Sequence, residues 1–218
     1  MFKDIEVCAI LLAAGGGCRF GGTTPKQFLM LGDKPVYQHS LRTFEENKFI
    51  DRVIMVTPNY LGGTTRQHSV RNALSLLENE GFVGIIIIHD AARPFARNVD
   101  IEAVLTAAHA HGAATLATPV TDTIKLVNSP LCEGTFPMVQ STLPREQLYA
   151  VQTPQAFRAD ILYAAHKMTK DGGYDDCQLV ENIGVHPAIV AGCTLNIKIT
   201  HQIDMVIAEN ILRRGTCQ

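Results

Sequence analysis

Apolar residues in this chain gather into short continuous runs, separated by stretches where they recur every three or four positions. Val7 to Leu12, Arg52 to Thr57 (RVIMVT) and Gly84 to His89 (GIIIIH) are runs of the first kind, with the length and composition of buried parallel strands. Ala114 to Ala117 and Leu195 to Thr200 (LNIKIT) predict two more strands. Helical spacing marks Pro35 to Phe44, Ser69 to Leu77, Val99 to His111, Arg158 to Lys170, Gln178 to Ile183 and Gln202 to Arg213. Strands alternating with helices predict an α/β fold, a sheet with helices packed on its faces.

Between Thr121 and Tyr149 that rhythm stops. Pro130, Gly134, Pro137 and Pro144 interrupt alternating segments such as IKLV and FPMVQ, which predicts a β-hairpin arm outside the sheet over about residues 123–150. A lone hairpin buries little apolar surface, so the arm is expected to pack on a partner subunit. Only Pro58 to Leu61 separate the second strand from Gly62-Gly63, short for a parallel crossover, and a break in the chain is expected near Tyr60 to Gly62.

At 218 residues the chain suits one domain carrying that arm. A net charge of −2 argues against a nucleic-acid partner held by bulk electrostatics. No apolar run approaches the ~20 residues that cross a bilayer, and the first residues carry no signal-cleavage pattern, so a cytoplasmic protein is expected. The six cysteines form no C-x-x-C and suit no zinc module, which predicts reduced structural thiols.

The richest chemistry follows the first strand, in AILLAAGGGCRFGGTTPKQF. Gly15, Gly16 and Gly17 present backbone alone, which lets N–H groups approach a phosphate chain, and Arg19 and Lys26 supply cations beside them. The dinucleotide fingerprint fails at Phe20, and the Gly-Lys-Ser/Thr run of the ATPase phosphate loop is missing. Asp90 closes the strand GIIIIH, where open α/β sheets bind ligands; it fits a Mg²⁺ ligand or a helix N-cap. Arg93, three residues on, fits a phosphate fork or a salt bridge to Asp90. The second glycine turn, Gly62 to Ser69, fits base recognition or simple capping of the helix it opens. Arg145 ends the arm, Lys198 interrupts LNIKIT, and Thr123 and Thr153 flank the arm on either side.

The ordered motifs AAGGGCRFGGTTPKQF, GGTTRQHSV, HDAARPF, PVTDTIK, VQTPQAF and NIKIT resemble the 2-C-methyl-D-erythritol 4-phosphate cytidylyltransferase family over nearly the whole chain. The resemblance implies a Rossmann-like nucleotidyltransferase fold with a mostly parallel twisted sheet, a homodimer formed through the β-arm, CTP, a sugar-alcohol phosphate and Mg²⁺. Matched motif by motif, it implies catalytic roles for Arg19, Lys26 and Lys198 and metal ligation by Asp90. Ala13, Ala14, Gly15, Gly63, Thr64 and Ser69 would bind the nucleotide. Arg93, Thr123, Arg145 and Thr153 would bind the acceptor, with Arg145 contributed across the dimer. The reaction implied is attack of the acceptor phosphate on the α-phosphorus of CTP. That phosphate is already largely dianionic at neutral pH, so no general base is needed.

Three departures stand against the family pattern. A helix and strand before the second glycine turn are missing, Thr64 and Thr65 stand where an acid is common, and Tyr174 replaces a threonine expected at the acceptor. The nearest rival reading is a ribitol 5-phosphate or related alditol-phosphate cytidylyltransferase; Ala92 and Lys125 favour methylerythritol phosphate. A nucleotide-binding regulator without turnover is the rival from another class.

Overall fold

A computed structural model describes residues 1–16, 20, 24–169 and 172–215. The strands are β1 (Val7–Leu12), a small hairpin β2 (Met30–Leu31) and β3 (Lys34–Pro35), β4 (Arg52–Val56), β5 (Ile85–Asp90), β6 (Ala113–Pro119), β7 (Lys125–Val127), β8 (Val139–Thr142), β9 (Tyr149–Arg158) and β10 (Ala188–Ala191). The helices are α1 (Val36–Glu45), α2 (Arg66–Asn79), α3 (Asn98–His111), α4 (Ala159–Met168), α5 (Asp176–Glu181) and α6 (Gln202–Arg214). Six strands form the central sheet in the order β10-β6-β9-β5-β1-β4, all parallel except β9.

Alternation along the strands sorts the core. Cys8 and Ile10 of β1 and Ile86 and Ile88 of β5 face one side, where Val70 and Leu74 of α2, Leu162 of α4 and Val180 of α5 cover them. Val7, Ala9 and Leu11, with Ile85 and Ile87, face the other side, under Phe44 of α1 and Ile101 and Leu105 of α3. Both faces are dry, so the strands read as continuous apolar runs rather than alternating ones. A third cluster, with Leu31, Phe95 and Ile199, seats α6.

Three sequence expectations change. LNIKIT forms no strand: Leu195, Ile197 and Ile199 do point into the third cluster, but only one interstrand-like bond, Ile199 N to Ala92 O at 2.9 Å, ties the stretch to its neighbour. The sheet edge is β10 instead, four residues that pair with Ala114 to Ala117.

The second change is β9, the longest strand, which the sequence reading leaves as the end of the arm. Pro154 argues against a central strand, because it cannot donate to the ladder. The structure accommodates it with a register shift: β6 pairs Thr115 with Gln155, then Ala117 with Val151, so Gln152 to Pro154 stand out of the ladder.

In place of the expected break near Tyr60 to Gly62, Thr57 and Tyr60 exchange two backbone hydrogen bonds of 2.9 and 3.1 Å around Pro58-Asn59. Leu61 takes a positive φ of 60°, and α2 itself makes the crossover from β4 to β5. The arm stands as expected, with β7 and β8 paired antiparallel and exposed.

Candidate active site

Strands β1 and β5 lie side by side with Leu12 opposite Asp90, so both chains leave the sheet at one edge. Connections leave this edge in opposite directions, the position where open α/β sheets form a ligand crevice. A cleft of about 510 Å³ opens there. Its floor and walls come from the first glycine loop, Lys26, the second glycine turn, Asp90 and Lys198.

The first loop is held from below. Ala13 N donates to Val56 O at 2.8 Å, and the buried Gln27 amide donates to Ala13 O at 2.6 Å and Gly15 O at 3.0 Å. These bonds tie down the loop's carbonyls. A Cβ added at Gly15 or Gly16 would meet no described atom within 4 Å. Packing against the described residues therefore does not demand glycine here, and a side chain would enter the cleft that these glycines line.

The second turn is different. Thr65 caps α2, accepting from His68 N at 3.1 Å, and Ser69 Oγ donates to Thr65 O at 3.1 Å and accepts from Gly63 N at 3.0 Å. A Cβ on Gly63 would lie 2.5 Å from His68 Cβ and 2.8 Å from His68 C, so glycine is required by close packing against the helix. Thr64 Oγ1 lies 2.6 Å from His68 Nδ1 at the rim. The capping expected of this turn is present, and Gly63, Thr64 and Ser69 also line the cleft.

Asp90 is held between two cations. Its Oδ2 accepts from Lys198 Nζ at 2.6 Å and its Oδ1 from Arg66 Nε at 3.2 Å. Burial alone would raise its pKa, but the Arg66 and Lys198 charges overcome that and hold the carboxyl well below the usual range. Asp90 N donates to Thr153 Oγ1 at 3.1 Å, which also lies 3.1 Å from His89 Nδ1. Burial pushes His89 down to about 4, so the ring stays neutral, packed on Phe44 at 4.8 Å.

One carboxylate that stays ionised at a cleft mouth suits Mg²⁺, which takes one or two protein oxygens and fills its shell with phosphates and water. Among the described residues no group of three or more His, Cys, Asp or Glu side chains could hold a metal unaided. The donor set therefore fits an ion that arrives with a nucleotide.

Not every expected residue meets in the cleft. Lys26, Ala14, Gly15, Gly63, Thr64, Ser69, Asp90 and Lys198 do. Ala13 lies directly beneath them, and Arg19 lies outside the described residues. Arg93 turns away: its Nη1 donates to Asn196 O at 2.8 Å, and no ion pair joins it to Asp90 among the described residues. Thr153 is buried behind β5. Thr123 and Arg145 are exposed at the arm, where Arg145 Nη1 donates to Thr121 O at 2.9 Å. Tyr174 is 92% exposed.

Sequence reasoning missed Arg66. It opens α2, where the helix dipole disfavours a cation, and that local misfit is the signal that a carboxylate elsewhere needs it. Its second partner is Asp176, at 2.7 Å from Nη1.

A family model described as IspD, 2-C-methyl-D-erythritol 4-phosphate cytidylyltransferase, matches residues 7–61 and 59–214. The enzyme of that name from Caldicellulosiruptor bescii is 37% identical over 231 residues, covering 97% of this chain and 99% of the relative. Its counterpart from Pelotomaculum thermopropionicum is 41% identical over 233 residues, covering 95% and 94%. The crystal structure of the enzyme from Thermus thermophilus superposes with a TM-score of 0.75 at 32% identity, covering 94% of this chain and 98% of that one. The 4-diphosphocytidyl-2C-methyl-D-erythritol synthase of Anaerococcus prevotii gives 0.80 at 27% identity, covering 96% and 97%. Alignments of 231 and 233 positions exceed the 218 residues of the chain, so these relatives carry residues without a counterpart here. The family match divides at residues 59–61, in the tight turn before Gly62.

Proposed function

The chain belongs to the 2-C-methyl-D-erythritol 4-phosphate cytidylyltransferase family, and from that premise we propose how its own residues carry the reaction. The enzyme transfers CMP from CTP to 2-C-methyl-D-erythritol 4-phosphate, releasing pyrophosphate and forming 4-diphosphocytidyl-2-C-methyl-D-erythritol. The assignment of roles rests on one observation, the convergence of the open glycine loop, Lys26, Asp90 and Lys198 on a single cleft.

In this reading the backbone of Ala14 and Gly15 cradles the triphosphate, Ala13 supports them from below through its bonds to Val56 and Gln27, and Gly63, Thr64 and Ser69 meet the base and ribose. Asp90 would hold Mg²⁺, whose charge, when bound, neutralises the triphosphate and polarises the α-phosphorus. Arg19 and Lys26 bind the β- and γ-phosphates. Lys198 leaves Asp90 for the α-phosphate and stabilises charge growing there. Bringing two anions together in line is the difficulty, and fixed cations relieve it without any proton transfer.

The acceptor side is completed by a second copy of the chain. Thr123 and Arg145, on the arm, do not line the cleft of their own protomer, which supports a homodimer whose arm carries Arg145 to the partner's cleft, while Arg93 is held within its own protomer by Asn196 O. Thr153 acts here by fixing Asp90 N rather than by touching the acceptor, since its hydroxyl is already engaged. One nucleotidyltransferase domain with its arm accounts for residues 1–218. No described helix is long and apolar enough to cross a membrane, and a cytoplasmic location goes with a reaction between two soluble phosphates.

Pyrophosphate release from CTP tests the reading, with methylerythritol phosphate and ribitol 5-phosphate as alternative acceptors. Turnover is expected with the first. Turnover with the second alone would reassign the acceptor, and none with either would reduce the protein to a nucleotide binder.

A further inference from the structure

Two buried polar residues lie behind the cleft with no task in the reaction as assigned. Asp176 opens α5 and is 1% exposed; His166 lies on α4 and is 4% exposed. The Asp176 carboxylate faces His166 Nε2 at 3.0 Å and Arg66 Nη1 at 2.7 Å. Arg66 continues through Nε to Asp90 Oδ1, and Lys198 takes Asp90 Oδ2. An unbroken line of polar contacts thus runs from α4 through α5 and α2 to the two residues at the cleft mouth.

Burial would raise the pKa of Asp176, but Arg66 and then His166 hold it below the usual carboxylate range, so it stays an acceptor and His166 Nε2 donates. Arg66 sits between two carboxylates that its rigid planar fork can serve at once. That division of the fork has a consequence. With Asp176 ionised, Arg66 gives Asp90 a single bond through Nε, and the other carboxylate oxygen stays with Lys198. Without the Asp176 charge, the same guanidinium would satisfy both forks on Asp90, the bidentate geometry that arginine prefers with one carboxylate. Arg66 would then hold both oxygens of Asp90, including the Oδ2 that now accepts from Lys198.

We infer that Asp176, oriented by His166, is a positioning residue: it anchors Arg66 on Asp90 Oδ1 alone, so that Oδ2 is open to an incoming cation once Lys198 turns to the α-phosphate. The inference rests on the roles proposed above for Asp90 and Lys198. A purely structural part, joining α2, α4 and α5, would affect folding but leave cation binding intact in any variant that folds.

The test uses the full chain and two readouts. One is Mn²⁺ binding in the presence of CTP without acceptor, followed by electron paramagnetic resonance. The other is pyrophosphate release with both substrates as Mg²⁺ is varied. Asp176→Asn is expected to weaken Mn²⁺ binding by about fivefold or more, the low end of what outer partners of metal ligands contribute. It should lower kcat while leaving KM for the acceptor unchanged. His166→Gln retains an N–H toward Asp176 and should rescue both quantities, whereas His166→Leu should not. A change in Mn²⁺ binding under about fivefold in folded Asp176→Asn overturns the inference, and so do equal losses in the two His166 variants. If Asp176→Asn does not fold, Arg66→Lys decides by the same threshold, since a lysine cannot span both carboxylates. Failure of the wild type to release pyrophosphate would sink the functional reading instead, while the Mn²⁺ comparison would still stand.

Discussion

Lys198 Nζ lies 2.6 Å from Asp90 Oδ2, although 108 residues separate the two in the chain. The pairing keeps a cation at the cleft. In the proposed roles Asp90 would hold a divalent ion, which would leave the Lys198 ammonium free for the phosphate chain, where charge would develop in the transition state. Lys198→Ala is therefore expected to lower kcat by roughly a hundredfold or more, as loss of a preorganised donor does. Lys26→Ala should do the same. Steady-state rates of pyrophosphate release check both, and near-wild-type kcat would remove these residues from the mechanism.

The two glycine turns separate ligand space from packing. No described atom lies where a Cβ on Gly15 would go, so Gly15→Ala should melt within a degree or two of wild type yet raise KM for CTP by about tenfold, or ~1.4 kcal/mol of lost binding. Gly63 has the backbone of α2 there, at 2.8 Å from His68 C. Gly63→Ala should cost about 2 kcal/mol of stability, or roughly 6 °C in Tm. Calorimetry and initial rates on the pair distinguish the roles; a lower Tm for Gly15→Ala would mean that the loop is packed after all.

Burial decides thiol chemistry. Cys8 is fully buried and its thiol is pushed up to about 12, while burial also raises Cys177. At pH 8 a thiol of that pKa is ionised to only about one part in ten thousand, and the thiolate is the reactive form. Cys132 is exposed on the arm. Brief alkylation of the native enzyme followed by peptide mapping should modify Cys132 and spare Cys8 and Cys177. All three should react once the chain is unfolded in guanidinium. Rapid modification of Cys8 in the native state would show that the β1 core opens readily.

The elements readable in advance were those whose period matched their burial. The apolar runs at Val7 and Ile85 became central strands because both faces of the sheet are covered. LNIKIT misled because its alternation was real while its neighbour was α6 and a loop, not a sheet edge; periodicity reports which side is buried, not what covers it. Strand β9 was hidden by Pro154, whose disruption is absorbed by a bulge that only the paired strand reveals. At the site, Asp90 and Lys26 were legible from position and residue type. Arg66 and Asp176 were not, because their meaning lies in contacts spanning 110 residues of sequence.

The arm makes the last prediction. Phe136 is 91% exposed and Met138 70%, and among the described residues β7 pairs with β8 alone. A two-stranded hairpin is marginal in water and such side chains are costly to leave wet, so the proposed partner copy would cover them and stabilise arm and dimer together. The double variant Phe136→Asp, Met138→Asp is expected to sediment as a monomer and to bind CTP normally, because the nucleotide cleft is built within one chain. Its turnover should fall sharply if, as proposed, Arg145 reaches the acceptor from the partner. Arg145→Ala, which leaves the arm's apolar face alone, should instead stay dimeric and raise KM for the acceptor more than for CTP. A monomeric double variant with full activity would place the whole acceptor site in one protomer, and equal effects of Arg145→Ala on both substrates would remove that arginine from it.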